Sequence, residues 1–254
     1  MNLSLPAQKR IQTPKRRKLW TPDGPVHAPG KLWTPNAEPL RAVTPAYVQP
    51  ASGNNGGTGD VVTLTFPSHN GLSNFIALIA AFSFVQPTSI VDTNKNTYHL
   101  AQYDSIGTAI YYAYNIGGGP NTITATWPSQ NFYFVGAAEY TGVQTTTNPL
   151  AQTTFAGGSS ASANSGNVTT TNANELCIGA VYSAGGSATP TGSWSAARVN
   201  YNFGQDILFD QVLLYPAAVA ATASVTSGTW SALIATFFAM VGAPNDAMFF
   251  GMNF

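Results

Sequence analysis

IYYAYNIGGGPNTITATW, from Ile110 to Trp127, is the stretch that decides the fold. Its first part is aromatic and β-branched, the composition of a half-buried pleated strand. Alternation places Tyr112 and Tyr114 on one face and Tyr111 on the other, with at least some of these rings in a core. Three glycines and Pro120 then end any regular element. NTITATW resumes the β-rich texture and closes on Trp127. The stretch therefore reads as strand, breaker, strand.

The same texture extends in both directions. DVVTLTF (Asp60–Phe66) alternates, and NFIALIAAFSFV (Asn74–Val85) is an unbroken apolar run bounded by turn residues, the pattern of a fully buried strand. SIVDTNKNTYHLAQY (Ser89–Tyr103) reads as strand, tight turn, strand. NFYFVGAAEYTGV (Asn131–Val143) sets Phe132, Phe134, Gly136 and Ala138 against Tyr133, Val135 and Ala137. Further short strands follow at NELCIGAVYSA, RVNYNF, ILFDQVLLYP, ATASVTSG and WSALIATFFAM, and no convincing amphipathic helix interrupts them. Many short strands at close spacing predict an all-β protein, a jelly-roll-like antiparallel β-sandwich. FAGGSSASANSGN (Phe155–Asn167) reads as a low-complexity surface loop.

The chain of 254 residues is 44% hydrophobic and only 8% charged, against about 25% charged in ordinary soluble proteins. It can bury a sizeable core, but its surface is neutral and poorly defended against self-association. The few charges are unevenly placed. Residues 1–50 hold eight Lys and Arg against Asp23 and Glu38, whereas residues 51–254 hold Lys95 and Arg198 against eight acidic residues. Nine of the 17 prolines also lie in residues 1–50. This predicts an extended, basic, Pro-rich arm over 1–50, a Gly/Asn linker over 51–59, a sandwich body over 60–241 and an apolar tail over 242–254.

The arm repeats itself. Lys18-Leu19-Trp20-Thr21-Pro22 recurs as Lys31-Leu32-Trp33-Thr34-Pro35. An arm without a periodic apolar face makes no core of its own, so Trp20 and Trp33 read as anchors for a partner, with Lys31 beside the second. The basic run around Lys15, Arg16, Arg17 and Lys18 fits an acidic protein surface, and less well nucleic acid, since no base-reading motif accompanies it. The tail carries Phe249, Phe250 and Phe254, which must pack on the body or on a neighbour.

Several motifs of the body occur together in one order: DTNKNTYHLA, IYYAYNIGGGPNTITATW, AAEYTGV, TNPL and TTTNANELCIGA. Over Asp60–Met240 they resemble a β-sandwich module that recurs in phage virion proteins and in bacterial secreted or surface proteins. The resemblance implies an extracellular or virion structural role and supplies no catalytic residues. The basic N-terminal run precedes no apolar segment of the kind a secretory signal has, which favours the virion member of that pair.

Searching for chemistry returns little. His27, His69 and His99 are not spaced as a metal triad, the lone Cys177 sits in an apolar run, and GGSSA lacks the last glycine of a nucleophile elbow. DTNKNT starts like a calcium loop but has Thr97 and Tyr103 where the glycine and the closing glutamate belong. Asp104, Glu139, Asp206 and Asp210 are the acids a glycosidase would draw on, and sequence does not pair them. Tyr112 and Tyr114 are candidates for a glycan or subunit contact. The expectation is a virion structural protein, a capsid decoration or minor capsid component built in the host cytoplasm. It would be non-enzymatic, without metal or cofactor, homo-oligomeric, tethered by its arm to capsid or other virion proteins, and would not enter a membrane. A carbohydrate-binding or adhesion module of a tail or cell surface is the alternative.

Overall fold

A computed structural model describes residues 42–81, 85–201 and 205–242. Among these residues the protein is all-β, without a helix. The first eight strands are β1 (Ala46–Asn54), β2 (Gly59–Thr65), β3 (Phe75–Ala81), β4 (Ser89–Asp92), β5 (His99–Tyr103), β6 (Thr108–Tyr114), β7 (Thr122–Asn131) and β8 (Phe134–Thr141). They form a five-stranded sheet in the order β1-β8-β3-β6-β5 and a three-stranded sheet in the order β2-β7-β4, antiparallel throughout. Opposed sheets with a 1-8-3-6 order on one side and 2-7-4 on the other are the jelly roll the strand pattern predicted.

The second eight strands do the same again. They are β9 (Leu150–Asn164), β10 (Val168–Thr169), β11 (Glu175–Ser183), β12 (Thr189–Pro190), β13 (Val199–Tyr201), β14 (Asp206–Leu213), β15 (Ala218–Val219) and β16 (Thr222–Phe237). Their larger sheet runs β9-β16-β11-β14-β13, each label eight above its counterpart in the first sheet. β10 pairs β15 as β2 pairs β7, and β12 pairs the start of β16, just beyond β15. One left-handed residue recurs in register: Ser73 (φ 62°) lies two residues before Phe75, and Asn174 (φ 61°) two before Leu176. The antiparallel β-sandwich body thus carries the jelly-roll strand order twice.

The two large sheets pack face to face. Phe75, Ala77, Ile79, Ile110, Tyr112 and Tyr140 of the first meet Leu176, Ile178, Ala180, Leu208, Leu233 and Phe237 of the second. Phe237 seals this layer, with its ring 4.7 Å from Phe75 and 5.1 Å from Tyr112. At the sides, β5 lies beside β9 and β1 beside β13. Exchanging the halves maps one of these contacts onto the other, so the internal interface has the isologous character of a two-fold dimer. Each large sheet also has an outer core. Ile76, Leu78 and Tyr111 pack under β2 and β7, against Val62, Ile123 and Trp127. Cys177, Ile207, Phe209 and Ile234 pack under Val168, Val219 and the chain around Trp194. Cover on both faces explains why β3 is apolar at every position.

Two segments differ from expectation. β1 begins inside the stretch read as arm and runs into the stretch read as linker as far as Asn54. Pro50 and its glycine-rich neighbours disguise it, but an edge strand tolerates proline, and β1 has only β8 as ladder partner. Gly53 is needed there because a Cβ would meet the Thr63 carbonyl of β2. The segment read as a low-complexity loop is mostly β9, paired along β16 from Leu150 to Asn164. Its small, largely exposed side chains mark the edge of the second sheet.

Candidate binding cleft and buried polar clusters

The chain enters and leaves the described body side by side. Ala42 bridges Val241, Val43 N–H donates to the Met240 carbonyl at 2.7 Å, and Asn174 Nδ2 donates to the Ala42 carbonyl at 2.9 Å. Lys15, Arg16, Arg17, Lys18, Trp20, Lys31 and Trp33 of the arm lie outside the described residues, as do Phe249, Phe250 and Phe254 of the tail.

The loop from β4 to β5 borders an open cleft. Asp92 organises it: Oδ1 accepts from the Asn96 backbone N–H at 2.9 Å, and Oδ2 accepts from Asn96 Nδ2 at 2.7 Å, Tyr98 OH at 2.8 Å and Asn121 Nδ2 at 3.0 Å. Burial first, then the Asp92 charge, hold the Tyr98 hydroxyl well above its ordinary pKa, so it stays a donor. Asn94 and Asn96 tie the loop to Gly117 by its carbonyl and its N–H respectively. Lys95 supplies the left-handed turn (φ 59°). The Asp92 carboxylate and the Asn96 Oδ1 of the DTNKNT stretch are thus engaged with protein donors, as in a turn. Beside the loop lies an open cleft of about 410 Å³ lined by Lys95, Asn96, Thr97, His99, Tyr114 and Asn115. His99 and Tyr114 stack within it, 5.5 Å between ring centroids. An aromatic platform flanked by amides, a hydroxyl and an ammonium group suits a polar, ring-bearing ligand.

The structure separates the two tyrosines proposed for contact. Tyr114 lines the cleft, but Tyr112 is only 1% exposed and packs between the large sheets, its hydroxyl donating to Asn148 at 2.7 Å. Burial thus removes Tyr112 from any glycan-facing surface. His69 lies on an exposed loop, where its carbonyl accepts from Gln49.

The acids are interior groups. Glu139 accepts from Gln49 Nε2 (2.6 Å), Asn70 Nδ2 (2.7 Å), the Gly71 N–H (2.7 Å) and Asn74 Nδ2 (2.6 Å), locking the β2–β3 loop onto β8. In the second unit Glu175 does the equivalent work, accepting from the Thr171 and Asn172 N–H groups. Asp210 binds Arg198 in fork geometry and accepts from Tyr140 OH at 2.9 Å, while the Arg198 guanidinium lies 4.1 Å over the Tyr47 ring. The hydrogen bond to Asp210 raises the Arg198 pKa further, against a smaller opposing effect of burial. This clasp joins the first unit's β1 and β8 to the second unit. Asp206 is also buried, four residues along β14 from Asp210, so neither acid faces the open cleft. Sequence reading did not find these networks, because their partners lie up to 90 residues apart.

No family model, curated protein or solved structure matches the chain.

Proposed function

We propose that the protein is a non-enzymatic structural component of a phage virion, a capsid decoration or minor capsid protein that its N-terminal arm tethers to neighbouring subunits. The observation that carries this reading is the division of labour along the chain. A rigid, charge-poor double jelly roll follows an arm that is basic, Pro-rich and armed with Trp20 and Trp33. Jelly rolls serve as capsid building blocks, and a tether turns several weak contacts into avidity through effective concentration. The resemblance of the body to a module of virion proteins supports the same reading. Capsid or other virion proteins are then the partners, the body self-associates, and nucleic acid is the less favoured target of the arm. Removing residues 1–41, all of which precede β1, tests it. The truncated chain keeps its β-rich circular dichroism but loses incorporation into particles. Wild-type occupancy of the truncated chain would refute the tether.

The cleft favours a second reading, a carbohydrate-binding or adhesion module. A glycan array with hits lost on Tyr114→Ala supports it, and an array without hits discards it.

A further inference from the structure

One end of the layer between the two large sheets is polar. At this end Thr108 follows Ile110 on the inner face of the first sheet, opposite Ala81. On the second sheet Asp206 follows Leu208 and Ser231 follows Leu233, both beside Tyr182. The two ends coincide: Tyr201, the ladder partner of Asp206, lies 4.8 Å from Phe134, the ladder partner of Ala81. The turn that holds Asp104 reaches the same place, since a Cβ on Gly157 would touch both Ile106 of that turn and the Trp230 carbonyl.

Four buried oxygens of these residues have no hydrogen-bond partner among the described residues: Asp104 Oδ2, Thr108 Oγ1, Asp206 Oδ1 and Ser231 Oγ. Their residues are 2%, 0%, 4% and 0% exposed. Orphaned buried oxygens cost about 1–3 kcal/mol each, more when charged, so such a group normally surrounds something. Three backbone N–H groups donate to Asp104 Oδ1, from Ile106 (2.9 Å), Gly107 (2.7 Å) and Thr108 (3.0 Å), and Oδ2 takes none of these bonds.

We propose that this end of the inter-sheet layer is a cation site, in which Asp104, Asp206, Thr108 and Ser231 hold a hard, oxygen-seeking divalent ion of the calcium class. The donors are oxygens only, without nitrogen or sulfur, which selects against zinc and copper. Among the described residues no cluster of three or more His, Cys, Asp or Glu exists. The shell therefore rests on two carboxylates and two hydroxyls and is completed by water. Calcium accepts such irregular oxygen shells, whereas magnesium demands near-octahedral geometry. With two carboxylates the affinity belongs to the weak end, a Kd of about 0.1–1 mM. The ion would clamp the β5–β6 turn of the first unit to β14 and β16 of the second.

The test uses the full chain after chelator treatment. Calcium at 10 mM raises Tm by about 3–6 °C over a sodium control of matched ionic strength, and magnesium raises it less. Asp206→Asn, which keeps the side-chain shape and removes a like charge, stays folded by circular dichroism and loses the calcium shift. Thr108→Val weakens it several-fold in half-saturating calcium. Terbium, as a calcium surrogate, gives tyrosine-sensitised emission that calcium competes away in the wild type and that is absent in Asp206→Asn. A calcium shift no larger than the sodium control, or one retained in full by Asp206→Asn, would overturn the proposal and leave the cluster to a shared proton and buried water.

Discussion

Phe237→Ala is the most informative substitution in the body. The side chain is fully buried at the end of β16, in the second unit, yet its ring contacts are to Phe75 and Tyr112 of the first. Truncating a buried Phe costs about 3–5 kcal/mol in transfer and cavity terms. Loss of two tilted aromatic contacts, each about 0.5–1.5 kcal/mol beyond area, places this site in the upper half of that range. Domains are stable by only about 5–15 kcal/mol, so the variant should lose a large fraction of its stability and about 10–20 °C in Tm for a body of this size. The assay is urea unfolding followed by tryptophan fluorescence in two reporter backgrounds, one retaining Trp127 of the first unit and one retaining Trp194 and Trp230 of the second. Both reporters should move together to the same lower midpoint, because the cavity opens in a layer that both units share. A loss below about 1 kcal/mol, or a shift confined to the second-unit reporters, would refute the reasoning that the halves fold on a common core.

Three further outcomes follow from the same geometry. Glu139→Ala strands four donors around an empty acceptor site and should cost about 3–5 kcal/mol in chemical denaturation, the range for breaking buried charge networks. Gly136→Ala should destabilise by about 1–3 kcal/mol through overpacking, because its new Cβ meets Val199 across the inter-unit layer; Val199→Ala in the same chain should recover part of the loss in a double-mutant cycle. Arg198→Met leaves Asp210 bonded only by Tyr140 in the clasp and should lower stability more than the 0–1 kcal/mol of an exposed pair, measured by thermal melts at 0.05 and 0.5 M salt.

The strands that carry their own side-chain signal were legible in the sequence. Tyr111 and Tyr112 fall on opposite faces as alternation requires, and the continuous apolar run at Phe75–Ala81 is a strand covered on both sides. β1 and β9 were not legible, because Gly, Ser and Ala give neither alternation nor bulk; their strand character comes from the ladders of β8 and β16. The doubling was hidden for a related reason. FIALIAA of β3 and ELCIGAVYS of β11 share a burial pattern and little identity, so the repeat survives in strand order and in the left-handed residues Ser73 and Asn174 rather than in letters. Of the candidate sites, alternation alone could not say which tyrosines belong to the core: Tyr112 became core and Tyr114 lines the cleft. The meeting of Asp104 with Asp206 depends on two sheets docking, which no local pattern encodes.

The central claim, an arm that fastens a double jelly roll to a protein shell, is tested most directly at the two repeated tryptophans. A photoactivatable aromatic residue placed at position 20 or position 33 of the full chain, illuminated in assembled particles, should crosslink to virion proteins at both sites. Crosslinks to nucleic acid, or none at either position while the chain remains on the particle, would contradict the account.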